Sequence, residues 1–378
     1  MRLALDARLC AIHAGGISRH IRQLLAGYAT LGPAEEILVL VHRQSREGFA
    51  PFATRRLLTP PHHRLEGWTL PLELWPLRPD LLHCPDTVVP RAWRGASVVT
   101  VHDVAYLRRP ELLTPASRRY YGGVSRAVQV ATRVIAVSEH TRRELLALTS
   151  VPPERLRVVH NAVDRRYGEP GDPANDAAVV GRLALREPFI LFVSTIEPRK
   201  NVTTLLEAYR QLRDSGRDLP LALVGADGWL SEPVHEAVRT LGLEAHARFL
   251  GHVPDDDLAA LYRRAAVLAH PALDEGFGYP PLEAMAAGTL TVVSDAGSLP
   301  EIVGEAALRV PPTDAAAWAA ALARVLDDRA LAQDLAAAGR QRAAAFTIER
   351  MARATLDVCR EAWAEHMMSK KRTHDRGS

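Results

Sequence analysis

From one end of the chain to the other, short apolar runs alternate with longer stretches whose apolar residues recur every three to four positions. In the first half the short runs are Arg2–Asp6, Ile37–His42, Leu81–His83, Ser97–His102 and Arg133–Val137. In the second half they are Phe189–Ser194, Leu221–Gly225, Ala247–Leu250, Val267–His270 and Leu290–Ser294. Most are apolar nearly throughout and bounded by Pro, Gly or polar residues, as strands buried on both faces of a parallel sheet require. Helical periodicity shows at about Ile17–Thr30, Val202–Ser215 and Asp256–Ala265. Strand and helix in this alternation predict βαβ units, hence an α/β fold with a parallel sheet in each half.

Between the halves, Val163–Pro188 is dense in Pro, Gly, Asp and Asn and reads as an interdomain linker. A length of 378 residues fits two cores better than one. The Ala-rich stretch Asp314–Ala345 reads as two packed helices with Gly339 as a weak point, and the final SKKRTHDRGS as a frayed end. A hydrophobic fraction of 47% with 24% charged residues excludes a disordered chain. No apolar run approaches the ~20 residues of a spanning helix. Asp6 and Arg8 interrupt the start where a signal peptide needs a continuous apolar segment. Cys10, Cys84 and Cys359 lie far apart and form no metal cage or disulfide framework, which fits a reducing, cytoplasmic setting.

Charge is unevenly divided. Residues 1–165 hold 23 Arg against 14 acidic residues, and the remainder 24 Lys and Arg against 30. A basic half suits an anionic partner: nucleic acid, the inner face of a membrane, or a phosphate-bearing substrate. Arg119, Arg126 and Arg133 recur every seven residues and would share one face of any helix there. That face suits a lipid phosphate or peripheral membrane contact, or is a plain solvated face.

The densest chemical signal is Glu275-Gly-Phe-Gly-Tyr-Pro-Pro-Leu-Glu283, which follows an apolar strand ending in His270 and opens a helix. Gly276 and Gly278 admit a ligand close to the backbone, and a helix start presents N–H groups to an anion. The second signal, Thr195-Ile-Glu197-Pro-Arg199-Lys200-Asn201, directly follows the strand ending in Ser194, where open α/β sheets bind ligands. The chain has 44 Arg and three Lys, and the other two, Lys370 and Lys371, lie in the tail. A lone Lys where Arg is the default cation points to a specific need, such as a compact charge on a diphosphate oxygen. Asp255-Asp256-Asp257 has the look of an Asp-x-Asp metal site, but it immediately precedes a helix, so capping and dipole compensation explain it. His62-His63 reads as loop surface.

Taken together, these motifs and Ser294-Asp-Ala-Gly-Ser-Leu-Pro-Glu301 resemble the retaining family-4 glycosyltransferases, in particular bacterial mannosyltransferases. So do Gly15-Gly16-Ile-Ser-Arg, Val101-His102-Asp103, Val137-Ser138-Glu139 and His160-Asn161-Ala162-Val163-Asp164. The resemblance runs from about residue 1 to 365. It implies the GT-B fold, two Rossmann-like domains facing across a cleft. Residues 1–168 would form the acceptor-binding domain, joined by a C-terminal helix at about 348–378 that packs back on it, and residues 169–347 the donor-binding domain. It further implies that Glu283 holds the donor ribose and Glu275 the transferred sugar. The backbone of Phe277 and Gly278 would meet the diphosphate, and Arg199 and Lys200 would neutralise it as it leaves. Gly16 would let its loop close over the phosphates, His102 would lie beside the sugar, and Gly15, Ser194, Thr195, Gly276 and Tyr279 would complete the donor set. Two positions depart from the pattern: Ser194-Thr195 stands where many relatives carry Gly-Arg, and Ala162 replaces a glycine.

The expected activity is therefore retaining, metal-independent hexosyl transfer, first from GDP-mannose, to a glycan, lipid-linked or small-molecule acceptor. No cofactor and no nucleic acid is expected. The alternatives are a GT-B nucleotide-sugar epimerase, which would carry further acids or histidines for proton traffic, and a degenerate relative that binds an anionic partner through the basic half. The acceptor is not encoded in any motif of this sequence.

Overall fold

The computed structural model describes residues 1–11, 15–86, 89–108 and 123–375. They form two compact units, Met1–Ala162 with Thr347–Ser378, and Val163–Phe346. Each is built on an all-parallel sheet, and the short apolar runs supply the strands.

In the first unit, seven strands run in the order β3-β2-β1-β4-β5-β6-β7. They are β1 (Arg2–Asp6), β2 (Glu36–His42), β3 (Ala53–Leu57), β4 (Leu81–Cys84), β5 (Ala96–Val101), β6 (Arg133–Ala136) and β7 (Leu156–Val158). Helices α1 (Gly16–Leu31), α2 (Glu66–Leu74) and α3 (Val124–Val130) belong to this unit, as does the C-terminal helix Ile348–Asp375. That last helix closes one face of the sheet: Met351, Ala352, Leu356 and Cys359 share a core with Leu3, Leu5, Leu24 and Tyr28. Gly27 makes this fit possible, since a β-carbon there would lie 2.5 Å from Cβ of Ala352. On the opposite face, Leu70 and Leu74 of α2 pack with Leu38, Leu40 and Leu57.

The second unit has six strands in the order β10-β9-β8-β11-β12-β13. These are β8 (Ile190–Val193), β9 (Leu221–Val224), β10 (Ala247–Gly251), β11 (Val267–His270), β12 (Leu290–Ser294) and β13 (Leu308–Val310). The helices that matter below are α4 (Pro173–Arg182), α5 (Val202–Asp214), α6 (Asp255–Arg264) and α7 (Tyr279–Ala287). In each sheet the strand order reverses once, between β1 and β4 and between β8 and β11. At such a point the loops leaving the carboxyl ends part in opposite directions and open a crevice.

Several local expectations need correction. Much of Val163–Pro188 is ordered structure of the second unit, not linker: Asp172 caps α4 by accepting from Ala174 N, and Pro173 fits its first turn. Asp176 of α4 binds Arg263 of α6 through two contacts of 2.7 Å. The tail is helical to Asp375. Gly339 is a packing position and not a weak point, with a would-be β-carbon 3.3 Å from Met285. Helix α6 has no side-chain cap; Asp256 and Asp257 instead accept from Arg166 and Arg182. The seven-residue arginine face does not exist as a helix face, because Arg126 is in α3 whereas Arg133 opens β6 and pairs with Glu361 and Glu365. Arg119 lies outside the described residues.

Candidate active site

At the reversal point of the second sheet, the loop leaving β8 and the loop leaving β11 meet. The β8 loop carries Thr195 to Lys200 and ends at Asn201, which adopts a left-handed φ of 55°. Its side chain crosses to the other loop, donating from Nδ2 to the carbonyls of Pro271 (3.1 Å) and Pro312 (2.6 Å). Leu273 N donates back to Arg199 O at 2.8 Å. The β11 loop is braced from its other side by Ser298, whose N donates to Glu275 O and whose Oγ donates to Phe277 O. Gly297 lies against Glu275 so closely that a β-carbon would sit 2.5 Å from its N. Both loops are thus rigidly held before any ligand arrives.

Glu275 lies at the centre. Its Oε1 accepts from Lys200 Nζ at 2.5 Å and from His270 Nε2 at 2.9 Å, and its Oε2 lies 3.4 Å from Arg199 Nη1. Arg199 also donates to Asp274 O and to Glu197 Oε1, each at 3.0 Å. Burial pushes the Glu275 carboxyl up, but Lys200, His270 and Arg199 together outweigh it and hold it well below the usual carboxylate range. His270 is pushed down by burial in spite of Glu275, so near neutral pH it is an uncharged ring donating Nε2–H. Arg199 and Lys200 are matched by Glu197 and Glu275, so the constellation is near neutral rather than a bare cationic patch. An ammonium has three donors, and the contact to Glu275 uses one of them.

Helix α7 begins beside this cluster. Gly278 precedes it at φ 101° and touches Leu299, where a β-carbon would come within 2.7 Å. Pro280 and Pro281 carry no N–H, and Leu282 N bonds to Gly278 O, so this helix start has fewer donors than an ordinary one. Glu283, one turn on, is buried and accepts from Tyr262 Oη at 2.9 Å, not solvated at the surface. Ser194, the residue after β8, is half-buried, and Thr195 beside it is exposed.

Ten of the thirteen sequence-derived positions fall in this unit: Ser194, Thr195, Arg199, Lys200, Glu275, Gly276, Phe277, Gly278, Tyr279 and Glu283. Gly15, Gly16 and His102 belong to the first unit. Gly15 and Gly16 open α1 and are exposed. His102 follows β5 and donates Nε2–H to Pro85 O at 2.9 Å, with His20 packed edge-on at 4.9 Å. His20 meets Asn161 at 2.9 Å and His83 meets Thr100 at 3.0 Å. Burial depresses all three histidines, His83 to about 3.

Sequence reasoning missed several parts. His270 was legible as the polar end of a buried strand, five residues before Glu275. Nothing local marks Tyr262, which reaches Glu283 from another helix. Asp6, Arg8 and Glu66 form a buried ion network near the β1/β4 reversal, with Arg8 bonded to both carboxylates. Burial alone would favour a neutral guanidine there, but the two carboxylates keep Arg8 charged.

Comparison with known proteins agrees with this layout. A family model described as Glycosyltransferase Family 4 matches residues 14–167, and one described as Glycosyl transferases group 1 matches residues 177–342. The O-antigen chain mannosyltransferase B of Escherichia coli is 32% identical over 300 residues, 79% of this chain and 77% of its own. The MMP alpha-(1->4)-mannosyltransferase of Mycolicibacterium hassiacum is 35% identical over 257 residues, 66% of this chain and 60% of its own. Sucrose-phosphate synthase from Thermosynechococcus elongatus superposes with a TM-score of 0.80 at 23% identity, covering 97% of this chain and all of that one. WaaG, a glycosyltransferase involved in lipopolysaccharide biosynthesis, gives 0.75 at 19%, covering 94% and 99%. At such identities the likeness to solved structures speaks for the fold alone. Among the described residues no helix is long and apolar enough to cross a membrane.

Proposed function

Since the chain belongs to the family-4 glycosyltransferases of GT-B fold, we propose that it moves a mannosyl group from GDP-mannose to a glycan or lipid-linked acceptor, with retention at the anomeric carbon. The supporting observation is the buried Glu275–Lys200–Arg199–His270 constellation at the β8/β11 reversal, beside the glycine turn that opens α7. The mannosyl choice draws on the Escherichia coli and Mycolicibacterium relatives.

In this reading the donor diphosphate lies along Gly276–Gly278 and takes the remaining donors of Lys200, while Arg199 faces its second phosphate. Glu283 accepts from the ribose hydroxyls, and Oε2 of Glu275 from a sugar hydroxyl. Glu275 is ionised and doubly engaged, so it acts as an acceptor and not as a proton donor. The C1–O bond to the β-phosphate breaks and its electron pair stays on the diphosphate. The acceptor oxygen bonds to C1 on the same face, and its proton passes to the departing β-phosphate oxygen. The protein's share is stabilisation of the charge that develops on the leaving group, for which preorganised cations are the main resource. His102, Gly15 and Gly16 stand in this reading as the first unit's contribution to the donor.

A panel of GDP-, UDP-, ADP- and dTDP-sugars tests the donor by thermal shift, with Glu283→Ala as control. GDP-mannose should raise the melting temperature of the wild type and fail to do so in the variant. Product anomers read by NMR test retention: an inverted linkage, or stabilisation by a different nucleotide, overturns the corresponding part.

A further inference from the structure

His20 is an unexpected residue for its place on α1. Ile17, Ile21, Leu24 and Tyr28 form the apolar stripe that this helix turns to the core, and position 20, four residues before Leu24, falls on it. An apolar side chain there would continue the stripe. The histidine is instead 2% exposed and bonds sideways, its Nδ1 donating to Oδ1 of Asn161 at 2.9 Å. Asn161 stands three residues past β7 and is 1% exposed. The pair is only half satisfied: His20 Nε2 and Asn161 Nδ2 are buried and meet no partner among the described residues. Orphaned polar groups in a core oppose folding, so stability is a poor explanation for this pair.

What the pair touches is His102. The rings of His20 and His102 lie 4.9 Å apart with 78° between their planes. The second constraint on His102 is Pro85, in the loop leaving β4, whose carbonyl accepts from Nε2 at 2.9 Å. A carbonyl can only accept, so Nε2 carries the proton, and in the neutral ring Nδ1 is left as a bare acceptor. The charges that act on these rings are Asp86 and Asp103 at His102 and Asp6 at His83. Neither Asp86 nor Asp103 bonds to the His102 ring among the described residues, and His83 is engaged with Thr100. Half a turn of the His102 ring would break the bond to Pro85 and exchange its donor for its acceptor. The side chain packed against that turn is His20, itself pinned by Asn161.

We propose that His20 and Asn161 are positioning residues for His102: Asn161 pins the His20 ring, and that ring keeps the His102 imidazole from turning, so that Nδ1 is presented as a fixed acceptor. The inference rests on the reading of His102 as part of the first unit's contribution to the donor, where a fixed acceptor suits a sugar hydroxyl. Contacts of this kind have to be held to within about 10–20° to be productive, which packing by a second ring supplies.

GDP released from GDP-mannose, read as kcat for single and double variants of the full chain, tests it. His20→Ala and Asn161→Ala should each lower kcat about ten-fold, the scale of a modest misplacement, and His102→Ala by at least as much. Adding His20→Ala to His102→Ala should cost nothing further, because residues that act through one group do not multiply their effects. ¹⁵N spectra of histidine-labelled protein should show His102 as the Nε2–H tautomer in the wild type and as a mixture of both tautomers in His20→Ala. If His20→Ala does not fold, Asn161→Ala, which leaves the ring in the core, carries the same two readouts. A loss that multiplies in the double variant, or an unchanged His102 tautomer in the single ones, overturns the inference. Wild-type kcat in His20→Ala, with kcat lost in His102→Ala, overturns it alone, whereas wild-type kcat in His102→Ala overturns the reading of His102 beneath it.

Discussion

Lys200 and Glu275 are each buried and each the other's main partner, so their energetics cannot be separated by deleting one. Removing Lys200 leaves an ionised carboxylate with Arg199 at 3.4 Å and a ring that burial keeps neutral. Lys200→Ala should therefore lose stability and also lower kcat by about 10²–10³, the usual effect of deleting one group that stabilises developing charge. Lys200→Arg should not restore the rate, because a planar fork does not fit where a compact ammonium makes a short contact. Steady-state kinetics on protein shown to be folded checks both, and a kcat within a few-fold of wild type would remove Lys200 from the mechanism. The carboxylate and the histidines both weaken the fold as pH falls, but over different ranges. Glu275 is depressed in the folded state, so its contribution is complete above an unfolded value near 4.5 and is lost as pH falls through the folded one. His83 is held neutral by burial, from 6.5 to about 3, so the unfolded chain gains a proton first and stability falls as pH drops below 6.5. The loss is about 1.4 kcal/mol per pH unit for this group. His20 and His102 shift in the same direction, whereas Glu66, pushed up by burial against Arg8, offsets part of the loss where carboxylates titrate. Histidine ¹⁵N shifts followed down in pH should show His83 still neutral below pH 5, and titration near 6.5 would refute its burial in neutral form. At this scale the site was legible wherever residue type was unusual against its background, as with one Lys among many Arg or a carboxylate ahead of a glycine turn. Of their partners, His270 is marked as the polar end of a buried strand, whereas Tyr262, which reaches Glu283 from another helix, arrives through tertiary packing and leaves no local mark.

The end of β8, from which the loop carrying Lys200 leaves, is held to the neighbouring end of β9 by a backbone contact available to glycine alone. Gly225, just past β9, has φ 140°, and a β-carbon there would be 1.8 Å from Ser194 O. Gly225→Ala should push the ends of β8 and β9 apart and cost several kcal/mol, with strain alone worth about 1–3. Gly216→Ala is the matched control, since φ is 91° there but nothing lies within 4 Å. Chemical denaturation should separate the two, and the donor-induced thermal shift should be lost in the first and kept in the second. Equal destabilisation would mean that conformation, not close approach, is what Gly225 provides. The same sterics explain which elements could be read from the chain. Runs such as Ile37–His42 and Val267–His270 are apolar because both faces of their strands are covered, and their type follows from that. β3 reads ATRRL and is exposed along most of its length at the sheet edge, while β7 and β13 are three residues each. None of them needs a continuous apolar run, so none is announced. α4 was hidden by its own cap, because Asp172-Pro173 is at once a turn signal and a good helix start.

The first unit is discontinuous in sequence, and its core cannot be completed until the last residues of the chain are in place. Met351, Leu356 and Val358 of the C-terminal helix are buried with Ile21, Leu24 and Tyr28, and Ala352 fills the space opposite Gly27. Three large apolar side chains at about 1.5–3 kcal/mol each amount to much of the 5–15 kcal/mol that holds a typical domain. The partners on α1 would lose their cover at the same time. The ion pairs at the helix surface, Arg157 and Arg133 with Glu361 and Arg360 with Glu35, are mostly exposed and add little. The second unit, Val163–Phe346, has its own two cores, and neither includes a residue of that helix. A chain ending at Phe346 should therefore keep the second unit folded and lose the first, whereas most truncations of comparable length at a frayed end would be silent. Hydrogen exchange read by mass spectrometry distinguishes the outcomes: β1, β2 and β5 should lose protection while β8, β11 and β12 retain it. Adding residues 347–378 as a separate peptide should restore protection to the first group, because the helix supplies the apolar surface that the first core lacks. Uniform loss across both sheets would show that the units fold only as one. Full protection without the helix would show that the α1 face is covered by other means. The expected result carries a consequence for synthesis: the second unit, encoded in the middle, can fold while the first still waits for its closing helix.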